Sequence, residues 1–431
     1  MDWSVFSVNW LNNSRKVDAA VLALALVLRL AWVGYIQARG GALFGPDAQT
    51  YQHLAQTLLE GKGLRMTNFP GLFADGREHL VVRSHRPALL PVMLAGIYTV
   101  TGVRVWVVRL LMAVLSALTC VLAARLARGL FAGPKAAATG AVAGLLMAVY
   151  PQLVYYAGTL TTETLCTLLL VLAIGVMLSA WRAERGWWRW GLAGAVLGLA
   201  VMARSSLLLF PCAAALWVVV VRRPRRRALA EAALVLAGFA VAMTPLWVRN
   251  YRVHGHFLAA TAEGGYTLWI SNNSEADGSG HCPMPQKQAE FNGLSEYGVD
   301  RVFRQRAIRW IRENPGHFVR LAGVKLMRLW RLWPHAEFVG TGAAVVGGMS
   351  FVPVLVLAVW GAVVTRGMWR PLLLFYLLFL YYSVLHTVFV ALTRYRVPMM
   401  PCLIILAAVG LLDIAGRLRR RGARPPQPEL Q

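Results

Sequence analysis

The sequence predicts an all-α integral membrane protein, a bundle of about ten transmembrane helices with two long loop regions on one face. Three observations predict it. Apolar runs near twenty residues long recur from residue 17 to residue 412. Of the 431 residues, 58% are hydrophobic, with mean hydropathy +0.54. Arginine gathers in the short stretches between the runs. Runs of that length match the hydrocarbon core of a bilayer. The formal net charge of +25 would suggest a nucleic-acid partner in a soluble protein. Between apolar runs it reads as topology instead, and no nucleic acid is expected.

In chain order, spans are expected near 18–37, 104–126, 136–157, 163–181, 188–203, 205–221, 228–247, 343–364, 371–390 and 397–416. The first follows Arg15 and Lys16 and lacks a small-residue cleavage site, so it is expected to stay as a membrane anchor. The segment 87–101 is apolar but short and contains Pro87 and Pro91. Charge decides its placement. If it lies along the membrane surface and the N-terminus is cytoplasmic, the basic stretches 125–135, 182–189, 222–227, 366–370 and 417–424 all fall on the cytoplasmic side. If it spans, the 222–227 cluster falls outside, so 87–101 is expected to be a juxtamembrane helix.

The chain then divides into an N-terminal transmembrane module, 1–248, which includes a first outer loop, 38–102. An outer region with interfacial helices, 249–342, follows, then C-terminal transmembrane helices, 343–416, and a basic cytoplasmic tail, 417–431. The stretch 421–431 is rich in Pro and Arg and reads as disordered. Cys120, Cys166, Cys212 and Cys402 sit inside apolar runs and Cys282 alone in a loop, so no disulfide framework or CxxC site is expected. No GxxxxGK[ST] loop occurs, which excludes a P-loop ATPase.

Eight of the nine histidines fall in the two outer regions, and His386 lies at the outer end of a helix. Extramembrane chemistry is therefore expected on that face. The first loop carries Gly45-Pro46-Asp47-Ala48-Gln49-Thr50-Tyr51 and a helical stretch closing at Glu60-Gly61-Lys62-Gly63. Tyr51, Leu54, Ala55, Leu58 and Leu59 share one helical face that can lie on the membrane. Pro46 suits the helix start and Gly61 its C-terminal cap. Asp47 thus falls in the first turn, where the helix dipole favours an ionised carboxylate. It can serve there as a cap or as a proton acceptor.

Arg29 lies about 12 Å below the outer end of the first span at the helical rise, so it is expected to face the bundle. Tyr266-Thr267-Leu268-Trp269-Ile270 reads as strand-like and leads into Ser271-Asn272-Asn273. Aromatic groups beside amides suit sugar recognition, and a hairpin packed on the membrane accounts for them equally. From 301 to 333, arginines alternate with apolar residues, broken at Pro315. This is an interfacial pattern suited to anionic lipid. His85, His254 and His256 show no ligand spacing, so neither metal nor cofactor is expected.

The stretch from Asp47 through Tyr51 and Ala55 to Glu60-Gly61-Lys62-Gly63, followed by Arg86-Pro87-Ala88-Leu89-Leu90-Pro91, resembles the GT-C membrane glycosyltransferases of the protein O-mannosyltransferase and aminoarabinose lipid A transferase type. The resemblance continues through Thr162-Glu163-Thr164-Leu165, Arg249-Asn250-Tyr251, Gly264-Gly265-Tyr266-Thr267-Leu268-Trp269 with Asn272-Asn273, and Arg394-Tyr395-Arg396-Val397-Pro398. It implies a GT-C-like bundle, a polyprenyl-phosphate sugar donor, and transfer on the periplasmic side of a bacterial inner membrane. The acceptor would be an envelope glycan, lipid or protein.

The resemblance also implies that Asp47 is the catalytic base, that Glu163 is a second acidic position and so a second candidate catalytic or acceptor-binding residue, unless it only complements its helix dipole, and that Arg86 contacts the donor phosphate. Arg394 and Arg396 are further candidates for that phosphate, because a guanidinium is a rigid fork for phosphate oxygens. Tyr51, Tyr266, Trp269, Asn272 and Asn273 are the candidate substrate-binding residues. Asp47 is followed by Ala48 where the mannosyltransferase pattern has an acid, which argues against protein mannosylation. The rival classes are a transporter or lipid-linked sugar flippase and an inactive homologue. No inverted pair of interrupted helices supports the transporter.

Overall fold

A computed structural model describes residues 14–41, 45–131, 134–183, 186–334 and 340–422. Most of the Pro- and Arg-rich tail expected over 421–431 lies outside the described residues. Helices dominate: α1 (Ser14–Ala38), α2 (Gly45–Leu59), α3 (Leu89–Thr101), α4 (Val105–Leu130), α5 (Pro134–Val149), α6 (Pro151–Ala157), α7 (Thr162–Arg182), α8 (Trp188–Ala203) and α9 (Phe210–Val221). After them come α10 (Arg225–His254), α11 (Gly264–Ser271), α12 (Glu296–Glu313), α13 (Pro315–Leu329), α14 (Thr341–Val364), α15 (Trp369–Val388) and α16 (Met400–Gly422). One antiparallel pair, β1 (Met66–Asn68) with β2 (Leu80–Val82), is the only sheet among the described residues.

Among the described residues, seven helices are long and apolar enough to cross a membrane, or eight if α5 and α6, bent by 58°, form one broken span. The expectation of about ten counted two apolar segments that are shorter: α8 has 16 residues and α9 has 12. Their sequences are as apolar as the others, so hydropathy alone does not separate them. The sidedness of every later helix is the same if both cross or if neither does. α3, with 13 residues, is the short apolar helix expected before the second span.

Small residues allow the closest helix contacts, as they do where lipid removes the hydrophobic drive for association. A side chain at Gly194 of α8 would meet the carbonyl oxygen of Val235 on α10 at 1.9 Å, and one at Gly238 would meet that of Gly191 at 1.9 Å. Gly361 of α14 faces the Leu406 carbonyl of α16 in the same way.

The α5/α6 break has an identifiable cause. Pro151 has no N–H to donate back to the Met147 carbonyl. Arg29, 0% exposed, supplies the missing donors from α1: Nη2 reaches the Met147 oxygen at 3.4 Å and Nη1 the Ala148 oxygen at 3.0 Å, while Nε donates to Ser116 Oγ at 2.7 Å. An intramembrane arginine with no carboxylate among these contacts thus closes the hydrogen bonding of a broken helix.

The arginine-rich ends lie together, away from the outer loops. Asp18, near the start of α1, pairs with Arg125 and Arg128 at the end of α4. Arg222 donates to the Trp181 carbonyl at the end of α7, and Trp217 Nε1 to that of Arg370. At the other end the two loop regions share one apolar cluster: Phe69, Leu72, Phe73 and Val82 of the first with Phe291, Val299 and Phe303 of the second.

Two expectations about the second region need correction. Tyr266–Ile270 is not strand-like but part of α11, because Asp300 Oδ1 on α12 accepts the N–H groups of Gly265 at 2.6 Å and Tyr266 at 3.2 Å and caps a helix start. Arg249 and Asn250, placed in a loop by the sequence, lie on the last turns of α10, which runs to His254 and ends at Gly255 in the left-handed conformation.

Candidate active site

Six side chains form one unbroken chain of ion pairs at the loop end of the bundle. Arg86 Nη1 donates to Glu263 Oε1 at 3.1 Å, and Arg86 Nη2 lies 3.1 Å from Asp47 Oδ1. Arg394 Nη2 donates to Asp47 Oδ2 at 2.6 Å, and Arg394 Nε to Glu163 Oε1 at 3.0 Å. Arg204 Nη1 donates to the same Glu163 oxygen at 3.0 Å. Three carboxylates alternate with three guanidiniums, so the chain is neutral when every member is ionised.

Each member comes from a different segment held by its own local structure. Asp47 is in the first turn of α2, as expected. Arg86 precedes Pro87, which favours extended backbone before it, and enters just ahead of α3. Glu163 is in the first turn of α7. Arg204 caps the C-terminus of α8, with its own N–H on the Ala200 carbonyl. Glu263 is the N-cap residue of α11. Arg394 lies in the 3-10 segment Thr393–Met399 between α15 and α16. The Tyr395 ring carries both Arg204, at 4.9 Å, and Arg394, at 5.7 Å, an added attraction of cation to ring face.

Exposure separates the roles these groups can take. The side chains of Asp47, Arg86 and Arg394 are 19%, 26% and 32% exposed, whereas Glu163 is at 0%. Burial alone would push the Asp47 carboxyl up, but the guanidiniums of Arg394 and Arg86 outweigh it and hold it below the usual value. Burial opposes and Glu263 favours the charge on Arg86, and the net effect holds it firmly protonated.

Of the expected site residues, Asp47, Glu163, Arg86 and Arg394 come together. Arg396 does not. Its side chain turns into the bundle, where Nη1 donates to the carbonyls of Leu329, at 3.5 Å, and Arg331, at 2.7 Å, and its guanidinium sits 3.5 Å over the Phe351 ring. Tyr51 is buried in the cluster that seats α2 on α3 and α4.

Tyr266 and Trp269 join the aromatic cluster around Phe69 and Phe303. Asn272 gives its amide hydrogens to the Leu268 and Val388 carbonyls and accepts from the buried Lys325 at 2.8 Å. Asn273 caps Trp269 and the Glu275 N–H. Both amides are thus occupied in closing the end of α11. Sequence reasoning missed Arg204 and Glu263. Arg204 did leave a signal, because it is the single residue between the two apolar segments 188–203 and 205–221.

Comparison with known proteins agrees with this architecture. Residues 85–248 match the family model described as dolichyl-phosphate-mannose-protein mannosyltransferase. The fold is similar to that of ArnT from Cupriavidus metallidurans bound to undecaprenyl phosphate, with TM-score 0.57 and 15% identity over 96% of this chain and 62% of that one. It is also similar to the archaeal oligosaccharyltransferase AglB from Archaeoglobus fulgidus in complex with an inhibitory peptide and a dolichol-phosphate. There the TM-score is 0.56 and the identity 14%, over 95% of this chain and 52% of that one. The chain therefore spans only part of the length of both structures. No curated protein sequence matches significantly. The family match thus covers residues 85–248, and the chain as a whole shares the fold of these two membrane proteins.

Proposed function

We propose that this protein transfers a sugar from a polyprenyl-phosphate carrier to an acceptor hydroxyl, with Asp47 as general base, on the extracytoplasmic face of a bacterial cell membrane. The observation that carries the reading is the position of Asp47. It is a partly exposed carboxylate at the loop end of the bundle, clasped by two partly exposed guanidiniums. The family match and the lipid phosphates held by the two similar structures support a lipid-linked donor. The arginine-rich ends of α4, α9 and α16 support a cytoplasmic assignment for the opposite face.

In the step proposed, the acceptor oxygen forms a bond to the anomeric carbon as the bond from that carbon to the phosphate oxygen breaks. Asp47 takes the hydroxyl proton, and polyprenyl phosphate leaves with the bonding electrons. A phosphate needs no prior protonation to leave, so one base suffices where glycosidases use two carboxyl groups. It needs cations, and Arg86 and Arg394 are the exposed ones. Because the chain of ion pairs is already neutral, an arriving phosphate makes it net negative. The phosphate therefore competes with Asp47 for both guanidiniums, and Asp47 becomes more basic when the donor is present. Glu163, sealed from solvent, orients Arg394 and does not touch substrate. The acceptor class, whether envelope glycan, lipid or protein, follows from pocket shape and not from this chemistry.

The test is sugar transfer by the purified protein in vesicles that contain a polyprenyl-phosphate sugar, using cell-envelope extracts as acceptor. Asp47→Asn is expected to lower transfer by about 10²–10⁴ with expression and folding unchanged. Movement of the lipid-linked sugar across the vesicle that persists in Asp47→Asn, with no transfer by the unmutated protein, would instead identify a flippase.

A further inference from the structure

Arg86 has no rigid element of its own. It sits on the strap 83–86 between β2 and α3, and its partner Glu263 ends a second strap, 258–263, between α10 and α11. Beside that pair, the two straps are tied directly where the Ala262 N–H donates to the Ser84 carbonyl at 2.8 Å. The other ties in this region run through the last turns of α10 and through Glu296 of α12.

Asn250, 0% exposed, reaches both straps at once. Its Oδ1 accepts from Ser84 Oγ at 3.1 Å and from Arg249 Nη1 at 2.9 Å. Its Nδ2 donates to the carbonyls of Ala260, at 2.9 Å, and Leu258, at 3.4 Å. All four hydrogen-bonding positions of the amide are used. Arg249 adds bonds to Ser84 Oγ at 2.5 Å and to the Arg83 carbonyl at 2.6 Å. Glu296, in the first turn of α12, accepts the Arg83 N–H at 2.7 Å and that of Ser84 at 3.0 Å.

Only a side chain with an acceptor and a two-hydrogen donor on one planar group can satisfy both straps from a single position. Aspartate keeps the acceptor but sets an oxygen against two carbonyl oxygens. Alanine leaves those carbonyls without their buried partner, while the Ser84 hydroxyl keeps Arg249 and, at 2.8 Å, His254 Nε2.

We infer that Asn250 is a positioning residue for the reaction: from the end of α10 it fixes the two straps in register and so aims Arg86 at Asp47 and at the donor phosphate. The kinetic part of this inference rests on the proposed transfer reaction, and the structural part does not.

The experiment compares the full chain, purified in lipid nanodiscs, with Asn250→Asp, Asn250→Ala, Arg86→Ala and the Asn250→Ala/Arg86→Ala double variant. Hydrogen exchange followed by mass spectrometry is expected to rise about tenfold in both straps of the Asn250 variants, with α2 and α7 unchanged. KM for the polyprenyl-phosphate sugar is expected to rise about tenfold in Asn250→Ala, and Asn250→Ala is expected to add nothing on top of Arg86→Ala. Unchanged exchange in the straps overturns the inference. So does a kinetic loss that multiplies with that of Arg86→Ala, since it would mean Asn250 acts elsewhere. If the unmutated protein transfers no sugar, the proposed function fails while the exchange measurement still decides the clamp. The Asp variant, equal in size to the original, covers the case in which the alanine variant does not fold.

Discussion

Arg394 holds two carboxylates with two different nitrogens: Nη2 is on Asp47 at 2.6 Å and Nε on Glu163 at 3.0 Å. The buried acid thereby orients the fork that holds the exposed acid. A lysine at 394 keeps the charge but offers a single point where the guanidinium offers a fixed plane. Arg394→Lys is expected to lower kcat/KM for the donor by about a hundredfold. Glu163 stays ionised and paired with Arg204 at 3.0 Å, so the variant should fold. Transfer kinetics beside a thermal denaturation curve check both statements, and near-normal kinetics would remove Arg394 from the donor site.

The pH profile carries a second prediction. The folded Asp47 carboxyl lies below its ordinary value, chiefly because Arg394 and Arg86 outweigh the effect of burial. The stability it contributes is therefore present above the unfolded value of about 3.9 and lost as pH falls through the lower folded value. The acid limb of kcat/KM, which reports the free enzyme, should fall below that ordinary value. The acid limb of kcat reports the donor complex, in which phosphate competes for the same guanidiniums, and should lie at higher pH. Coincident limbs would mean that the donor does not exchange with Asp47 for its cations.

Arg29 gives a third prediction, about folding. Removing it leaves the Met147 and Ala148 carbonyls of the broken α5/α6 span without their donor. Arg29→Met fills similar space without a donor and is expected to destabilise by about 1–3 kcal/mol. The loss should appear in thermal unfolding in detergent, with specific transfer activity of the folded fraction retained. A variant as stable as the unmutated protein would show that the bend does not depend on this cap.

These outcomes follow from parts of the chain that differ in how legible they were. The first turn of α2 was readable because Pro46, Asp47 and Gly61 are local signals, and the α12/α13 break because Pro315 cannot continue a helix. The helix at 264–271 was not. Its Tyr266, Leu268 and Ile270 alternate like a strand, and the carboxylate that caps it, Asp300, lies on another helix. Tertiary contact overrides local propensity there. Glu263 was hidden for a related reason, because only the meeting of two straps gives it Arg86 as a partner. The count of about ten includes α8 and α9, whose 16 and 12 residues fall below the length of a full span, so seven or eight helices among the described residues meet the length of a crossing.

Arg396 supplies the last prediction, and its position shows why a motif is not a site. Arg394 and Arg396 look equivalent in sequence, but in a 3-10 segment successive residues turn by about 120°, so two residues apart they face different ways. Arg394 meets Asp47, whereas Arg396 caps the carbonyl end of α13 at Leu329 and Arg331 and lies over Phe351. Arg396→Met should lower stability by about 1–3 kcal/mol, because it strips buried carbonyls of a charged donor. It should leave KM for the donor unchanged. Unfolding curves and donor titrations on the same preparations separate the two effects. A variant of normal stability that binds donor poorly would move Arg396 into the donor site and require α13 to stand away from its place here.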